Sequence, residues 1–302
     1  MNDIQNPKHQ FPEYMQRALD GMRASRMDAL PRRHQVAIDS RPTAEERNQL
    51  KALLGESSRV DESVAKRLVT SFRNRVGLIE WKDFAPPLSP VDNAPEARAA
   101  DFWWARTQLF GGAGGIAPQF QTDGVHFFGR LGYDSDPLFG ISVGAFATFE
   151  LQPERRPPSP SGRFNSSPHV ELFGNITGWT NIQDCPWACD DKWCKCFLFL
   201  RQSAIQFVDD VGTWRLCGET TSLRTLIDEE GNGNTFVAPM PGFLPMPFLQ
   251  FGLLRPDRSV LIDLEVRFDV QLEGSSFIGF SPEDNPAGSL LLRYAQWPCF
   301  AA

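Results

Sequence analysis

Four sulfurs fall within twelve residues of this chain: Cys185, Cys189, Cys194 and Cys196. A group of that kind suits Zn²⁺, which takes four soft ligands in a tetrahedron. The spacing lacks the paired C-x2-C knuckles of zinc modules, and on a strand Cys194 and Cys196 point to one face. Buried free thiols or an occasional disulfide are therefore the expected state, with zinc as the alternative. Only four histidines are present. His126 and His169 each open a strand pattern, so a two-histidine metal site or a histidine-dependent triad would have to use them. No serine stands in a Gly-x-Ser-x-Gly elbow to complete such a triad. Trp179, Trp187, Trp193 and Trp214 gather around the cysteine loop; indoles left exposed there would stack on a sugar ring or another flat ligand.

Two other groups read as structure. The glycine run at 110–116 has no Lys-Ser/Thr after it and no strand-then-helix setting, so its amides do not cradle phosphate. It reads as a flexible loop or tight sheet crossing or, with Phe102, Trp103, Trp104 and Phe110 ahead of it, as a mobile lid with an apolar tip. Asp263, Glu265 and Asp269, interleaved with Arg267, read as the wet face of a strand.

The elements that must position these residues divide near residue 85. A first helix is expected over 11–30, with Met15, Ala18, Leu19 and Met22 on one stripe and Pro31 as its stop. Thr43 and Glu46 form a capping box for a second, closing at Gly55. Val64, Leu68, Phe72 and Val76 recur every four residues in a third, over 60–76. Three short helices make a small core, so their stripes are expected to pack on the β domain or on a second copy of the chain. Prolines 86, 87, 90 and 95 mark 84–95 as a linker. Beyond it lie all but one of the eight Trp, Trp81 being the exception, and all but three of the 24 Phe. The organisation read from this is a helical segment, 1–85, and an all-β domain, 86–302.

Strands are expected at 125–131, 138–151, 169–179, 194–208, 213–219, 243–254, 259–273 and 289–297. The clearest is 259–273, where Val260, Ile262, Leu264, Val266, Phe268, Val270 and Leu272 alternate with mostly polar residues. That pattern predicts one core face and one solvated face, with 243–254 as hairpin partner through Arg255-Pro256-Asp257-Arg258. The whole points to a mainly β fold: a large antiparallel sandwich, jelly-roll-like, or a barrel. The Pro- and Ser-rich stretch 153–162 reads as an exposed, mobile loop.

Composition narrows the function. Residues 1–85 hold 15 Lys/Arg against 12 Asp/Glu, and the rest hold 15 against 25. An acidic β domain repels phosphate, which argues against nucleic acid as a partner. No stretch has the length of a membrane-spanning helix, and the polar start lacks a secretory signal, so the expected compartment is the cytoplasm. The segment 237–248 carries Pro239, Pro241, Pro245 and Pro247 among Met and Phe. Proline cannot donate to a ladder, so this stretch must be an edge or a connecting arm. Such an apolar arm covers its own domain or docks on a partner. The leading reading is a non-catalytic sandwich that works by self-assembly or partner binding through 1–85 and 237–248, as a shell- or capsid-type subunit would. The alternatives are a metal- or ligand-dependent enzyme with its site at the strand ends, and a carbohydrate-binding module reading sugars with Trp179, Trp187 or Trp193.

Overall fold

The computed structural model describes residues 3–6, 10–39, 101–112, 115–121, 124–133, 139–180, 192–230, 235–240, 242–280, 290–294 and 297–302. The expected helices at 43–55 and 60–76 and the linker at 84–95 lie outside the described residues. In chain order the elements begin with β1 (Asp3–Gln5), α1 (Glu13–Asp39), β2 (Phe102–Gly111), β3 (Ala117–Gln121), β4 (Gly124–Phe128), β5 (Arg130–Tyr133) and β6 (Phe139–Leu151). They continue with β7 (Arg163–Ser166), β8 (His169–Phe173), β9 (Asn175–Thr180), β10 (Trp193–Phe207), β11 (Trp214–Glu230) and β12 (Thr235–Pro239). The last are β13 (Gly242–Pro245), β14 (Leu249–Gly252), β15 (Val260–Glu273), β16 (Ser276–Gly279), β17 (Leu290–Tyr294) and β18 (Phe300–Ala301).

The fold is mainly β, and all of its strand pairs are antiparallel among the described residues. One layer is a six-stranded sheet in the order β1-β2-β6-β15-β10-β11. The facing layer consists of three short sheets, β12-β9-β16-β5, β13-β8-β17-β4-β3 and β14-β7-β18. These three repeat one lateral order, because each of their long chain segments is broken and resumes in the next sheet. Two of the breaks fall at Gly129 and Gly174, whose φ of 96° and 116° only glycine adopts freely. There Phe280 N–H donates to Gly129 O at 3.0 Å and Met240 N–H to Gly174 O at 2.9 Å, so adjacent strands turn the corner together. The expected strands at 125–131 and 169–179 are therefore each two strands.

Setting aside β1, β2 and β3 and counting broken strands as one gives eight, from β4/β5 through β6, β7/β8/β9, β10, β11, β12/β13/β14 and β15 to β16/β17/β18. The broken layer then runs first-eighth-third-sixth and the other second-seventh-fourth-fifth. That order is two interlocked Greek keys, a jelly roll. It also corrects the hairpin expected between 243–254 and 259–273. The chain does reverse at 255–258, but β15 pairs with β10 and β6, while β14 pairs with β7 in the other layer.

Between the layers lies the main core, where Val143, Phe149, Leu198, Leu264 and Phe268 meet Phe127, Leu172, Ile176, Phe251 and Ile278. On the other side of the six-stranded sheet sits α1. Pro31 withdraws one amide from its ladder, yet the helix does not stop there and runs on to Asp39. Its stripe of Met15, Ala18, Leu19 and Met22, with Phe11 and Tyr14, packs on Ala105, Ile205, Phe207, Leu261 and Trp214 as a second core. Of the two coverings expected for that stripe, the β domain supplies this one. β1 adds Asp3–Gln5 to β2, so the chain before residue 40 contributes both a strand and a helix to this layer.

Two further expectations give way. Phe102 and Phe110 are buried in β2, which ends at Gly111, so they form a core strand and not an apolar tip; residues 113 and 114 lie outside the described residues. The 153–162 stretch is anchored: Arg156 donates to the carbonyls of Pro256, at 2.9 Å, and Arg258.

Candidate functional site

Among the described residues, those singled out for chemistry do not converge. Cys185, Cys189 and Trp187 lie outside the described residues. Cys194 and Cys196 share the inner face of β10, as their spacing predicts, and both are buried free thiols. Burial pushes the Cys194 thiol up to about 12 and holds Cys196 well above its ordinary range, so both are neutral in the folded chain. Cys194 donates to Phe277 O at 3.4 Å. Among the described residues no three His, Cys, Asp or Glu side chains stand close enough to hold a metal.

His126, buried on β4, and His169, exposed at the start of β8, do not face one another. β17 runs between their strands, and Leu291 aligns His126 with Phe173, four residues along β8 from His169. The two tryptophans diverge as well. A side chain added at Gly178 would meet Cys194 Sγ at 2.8 Å, so the inner faces of β9 and β10 abut there. Trp179 and Trp193, next in sequence to Gly178 and Cys194, therefore point outward from opposite layers. Trp193 Nε1 donates to Asp228 Oδ1 at 3.0 Å and Lys195 Nζ stands 4.8 Å from its ring centroid. Trp179 covers Gly279. No sugar-stacking platform is shared by these two.

The row expected to face water is buried. Asp263 is 0% exposed, Glu265 1% and Arg267 3%. Arg23 on α1, 1% exposed, reaches Asp263 Oδ1 at 2.7 Å, Thr148 Oγ1 at 2.5 Å and Gln108 Oε1 at 3.0 Å. One helical turn on, Arg26 takes Asp263 Oδ2 at 3.0 Å, Ser203 Oγ at 3.0 Å and Glu219 Oε2 at 3.2 Å. Arg106 joins Asp3 at 2.7 Å and Asp20 at 2.8 Å. Further along the sheet Arg267 holds Glu265 at 2.6 Å and Asp269 at 2.8 Å, its guanidinium 4.1 Å from the Phe199 ring centroid. The row is a lock for α1 and its neighbours, in which each buried charge has an opposite charge.

The surface feature that stands out is an edge. The sixth strand of the jelly roll borders the broken layer as β12, β13 and β14, and from Thr235 to Leu254 it carries no charged residue in twenty positions. The expectation that its prolines mark an edge holds. Leu244 and Met246 turn inward and are buried, whereas Phe243 is 65% and Phe248 51% exposed, with Val237 and Leu254 exposed beyond them. One strand further in, Phe173 meets Phe243 edge-on at 6.4 Å between centroids. Natural edges are usually guarded by charge. This one is guarded by Pro239, Pro245 and Pro247, which have no N–H to offer a joining strand. Strand addition is blocked while side-chain packing remains open. Sequence reasoning found the segment by its prolines; which side chains it leaves outside depends on the layer beneath.

No protein family matches the chain, and no curated protein does. Among solved structures, the carbohydrate-binding module TmCBM61 in complex with β-1,4-galactotriose aligns with 65% of this chain and 88% of its own at 7% identity, TM-score 0.19. A structure of infectious bursal disease virus, Gx strain, aligns with 64% of this chain and 50% of its own at 10% identity, TM-score 0.12. Likenesses this slight carry no argument about function. Among the described residues no helix is long and apolar enough to cross a membrane.

Proposed function

We propose that this chain is a structural subunit that associates with copies of itself, the jelly roll serving as the rigid body and the 235–254 edge as a contact. The observation that carries the reading is the uncharged edge, with Phe243 and Phe248 turned outward on either side of the buried Leu244 and Met246. Apolar side chains presented together to water favour association, because covering them releases about 25 cal/mol for each Å² removed from solvent. A partner must offer apolar side chains in return, and the same edge of another copy does so; a patch meeting itself about a two-fold axis is the commonest protein contact. A shell-type role follows if further surfaces of the subunit also join.

The test is sedimentation velocity on the full chain and on Phe243→Asp/Phe248→Asp. The unmodified chain is expected to sediment as an assembly and the variant as a smaller species with an unchanged circular dichroism spectrum. Equal sedimentation of the two would overturn the assignment of this edge.

A further inference from the structure

The outer face of the β12-β9-β16-β5 sheet carries two aromatic rings on neighbouring strands. Register sets Thr235, Trp179, Phe277 and Gly132 in one row across the four strands, and Val237, Thr177, Gly279 and Arg130 in the next. Ile176 and Ile278 point from the same strands into the core, so both rows face outward. Neither ring stands up from the sheet. A side chain added at Gly279 would meet Trp179 Cη2 at 3.1 Å, and one added at Gly132 would collide with the Phe277 ring. Each ring therefore leans over a glycine of the next strand, one side against backbone and the other outward, and both residues are half-buried. Covering a glycine in this way steadies a sheet. Two covers in step, on strands about 4.8 Å apart, also form a plate on which one ligand can lie across both rings.

The groups around the plate define its occupant. Thr235 flanks Trp179 across the strands and Thr177 flanks it along its own. Among the described residues neither hydroxyl has a hydrogen-bond partner, and a hydroxyl can both donate and accept. Arg130 is the one charged side chain on that face among the described residues, so no carboxylate waits there for a cation. Residues 86–302 hold 15 Lys/Arg against 25 Asp/Glu, a balance that repels phosphate or sulfate. What remains is a flat, uncharged, hydroxyl-rich ligand. We infer that the plate binds a neutral glycan, one pyranose stacked on Trp179 and the next on Phe277, with Thr177 and Thr235 bonded to sugar hydroxyls. The C–H groups of a pyranose face are slightly positive and meet the negative face of an aromatic ring. A nucleobase stacks on such rings as well, but it brings phosphate, which this domain repels. The inference goes beyond the assembly reading and does not rest on it.

The experiment is calorimetric titration of the full chain with cellopentaose, mannopentaose, xylopentaose and galactopentaose in turn, with melting curves and light scattering on every variant. At least one of these sugars is expected to bind, equally well in low and high salt because the ligand carries no charge. Trp179→Leu and Phe277→Leu keep an apolar cover over each glycine but remove the aromatic face. Each should weaken binding about tenfold at unchanged melting temperature and molar mass. Thr177→Val should weaken it about fivefold. Leucine variants that bind as tightly as the parent would overturn the inference, and so would binding that collapses in high salt. Four unbound sugars would overturn it as well; if Trp179→Leu then lowers the molar mass, the plate is a contact between copies. Sugar binding by a monomeric parent chain supports the plate while refuting the edge, so the two readings fail separately.

Discussion

The six-stranded sheet has two buried faces that are built on different principles. Toward the facing layer it shows Val143, Ala145, Phe149, Leu198, Leu264 and Phe268; toward α1 it shows Gln108, Thr148, Ser203 and Asp263, with Glu265 and Arg267 further along. The first face is held mostly by apolar area, with a few bonds across the layers such as that of Gln202 to Pro247 O at 2.8 Å. The second adds to the small apolar core under the stripe of α1 a set of directional bonds, each satisfied at one position only. Desolvation offsets most of what buried ion pairs gain, so the polar face adds little net stability. Its effect is to fix where α1 lies. An apolar face gives strength and an ionic face gives address.

The largest effects should come from breaking either face. Asp263→Ala leaves Arg23 and Arg26 without their shared carboxylate and is expected to cost about 3–5 kcal/mol in urea unfolding. Phe268→Ala, which empties a ring packed edge-on against Phe127 and Phe280, should cost about as much, roughly 3–5 kcal/mol. The faces separate when whole groups are replaced: Arg23→Met/Arg26→Leu/Asp263→Leu should recover most of the loss, because the carboxylate that loses its partner, Glu219, is one-third exposed. A triple variant as unstable as Asp263→Ala would show that the ionic face contributes stability beyond position.

A smaller effect distinguishes the faces by pH. The Cys194 thiol, raised by burial from an ordinary value of 9.0 to about 12, holds its proton in the folded chain after the unfolded chain has lost it. Its contribution is therefore complete below pH 9 and is lost as pH rises from about 9 toward 12. Urea midpoints of Cys194→Ala and the parent should converge over that interval; parallel curves would contradict the burial of this thiol as a neutral group. The smallest effect on stability belongs to the edge, where Phe243→Asp should shift unfolding by no more than about 0.5 kcal/mol while weakening association through that edge.

Much of this was legible in the sequence. The alternation of 259–273 marks a strand, the helical stripe of Met15, Leu19 and Met22 marks the face that packs, and the prolines of 237–248 mark an edge. What was not legible depends on distant partners. Polarity alone makes Asp263, Glu265 and Arg267 look solvated, because Arg23, which buries Asp263, lies 240 residues away. The reversal at 255–258 is local and readable. That it passes between layers rather than closing a hairpin follows from the jelly-roll order, which no local signal carries. β2 escaped notice because its glycine run looks like a loop, although Phe102 and Phe110 are core residues. The candidate site was legible only in part: Phe243 and Leu244 are alike in sequence, and the layer beneath decides which of them faces out.

The central claim is that the subunit associates through surfaces it carries itself. Its most direct test is the molar mass of the unmodified chain by light scattering across a hundredfold range of concentration. The account predicts a mass that is a multiple of 33.9 kDa and falls on dilution. A constant 33.9 kDa throughout would contradict it.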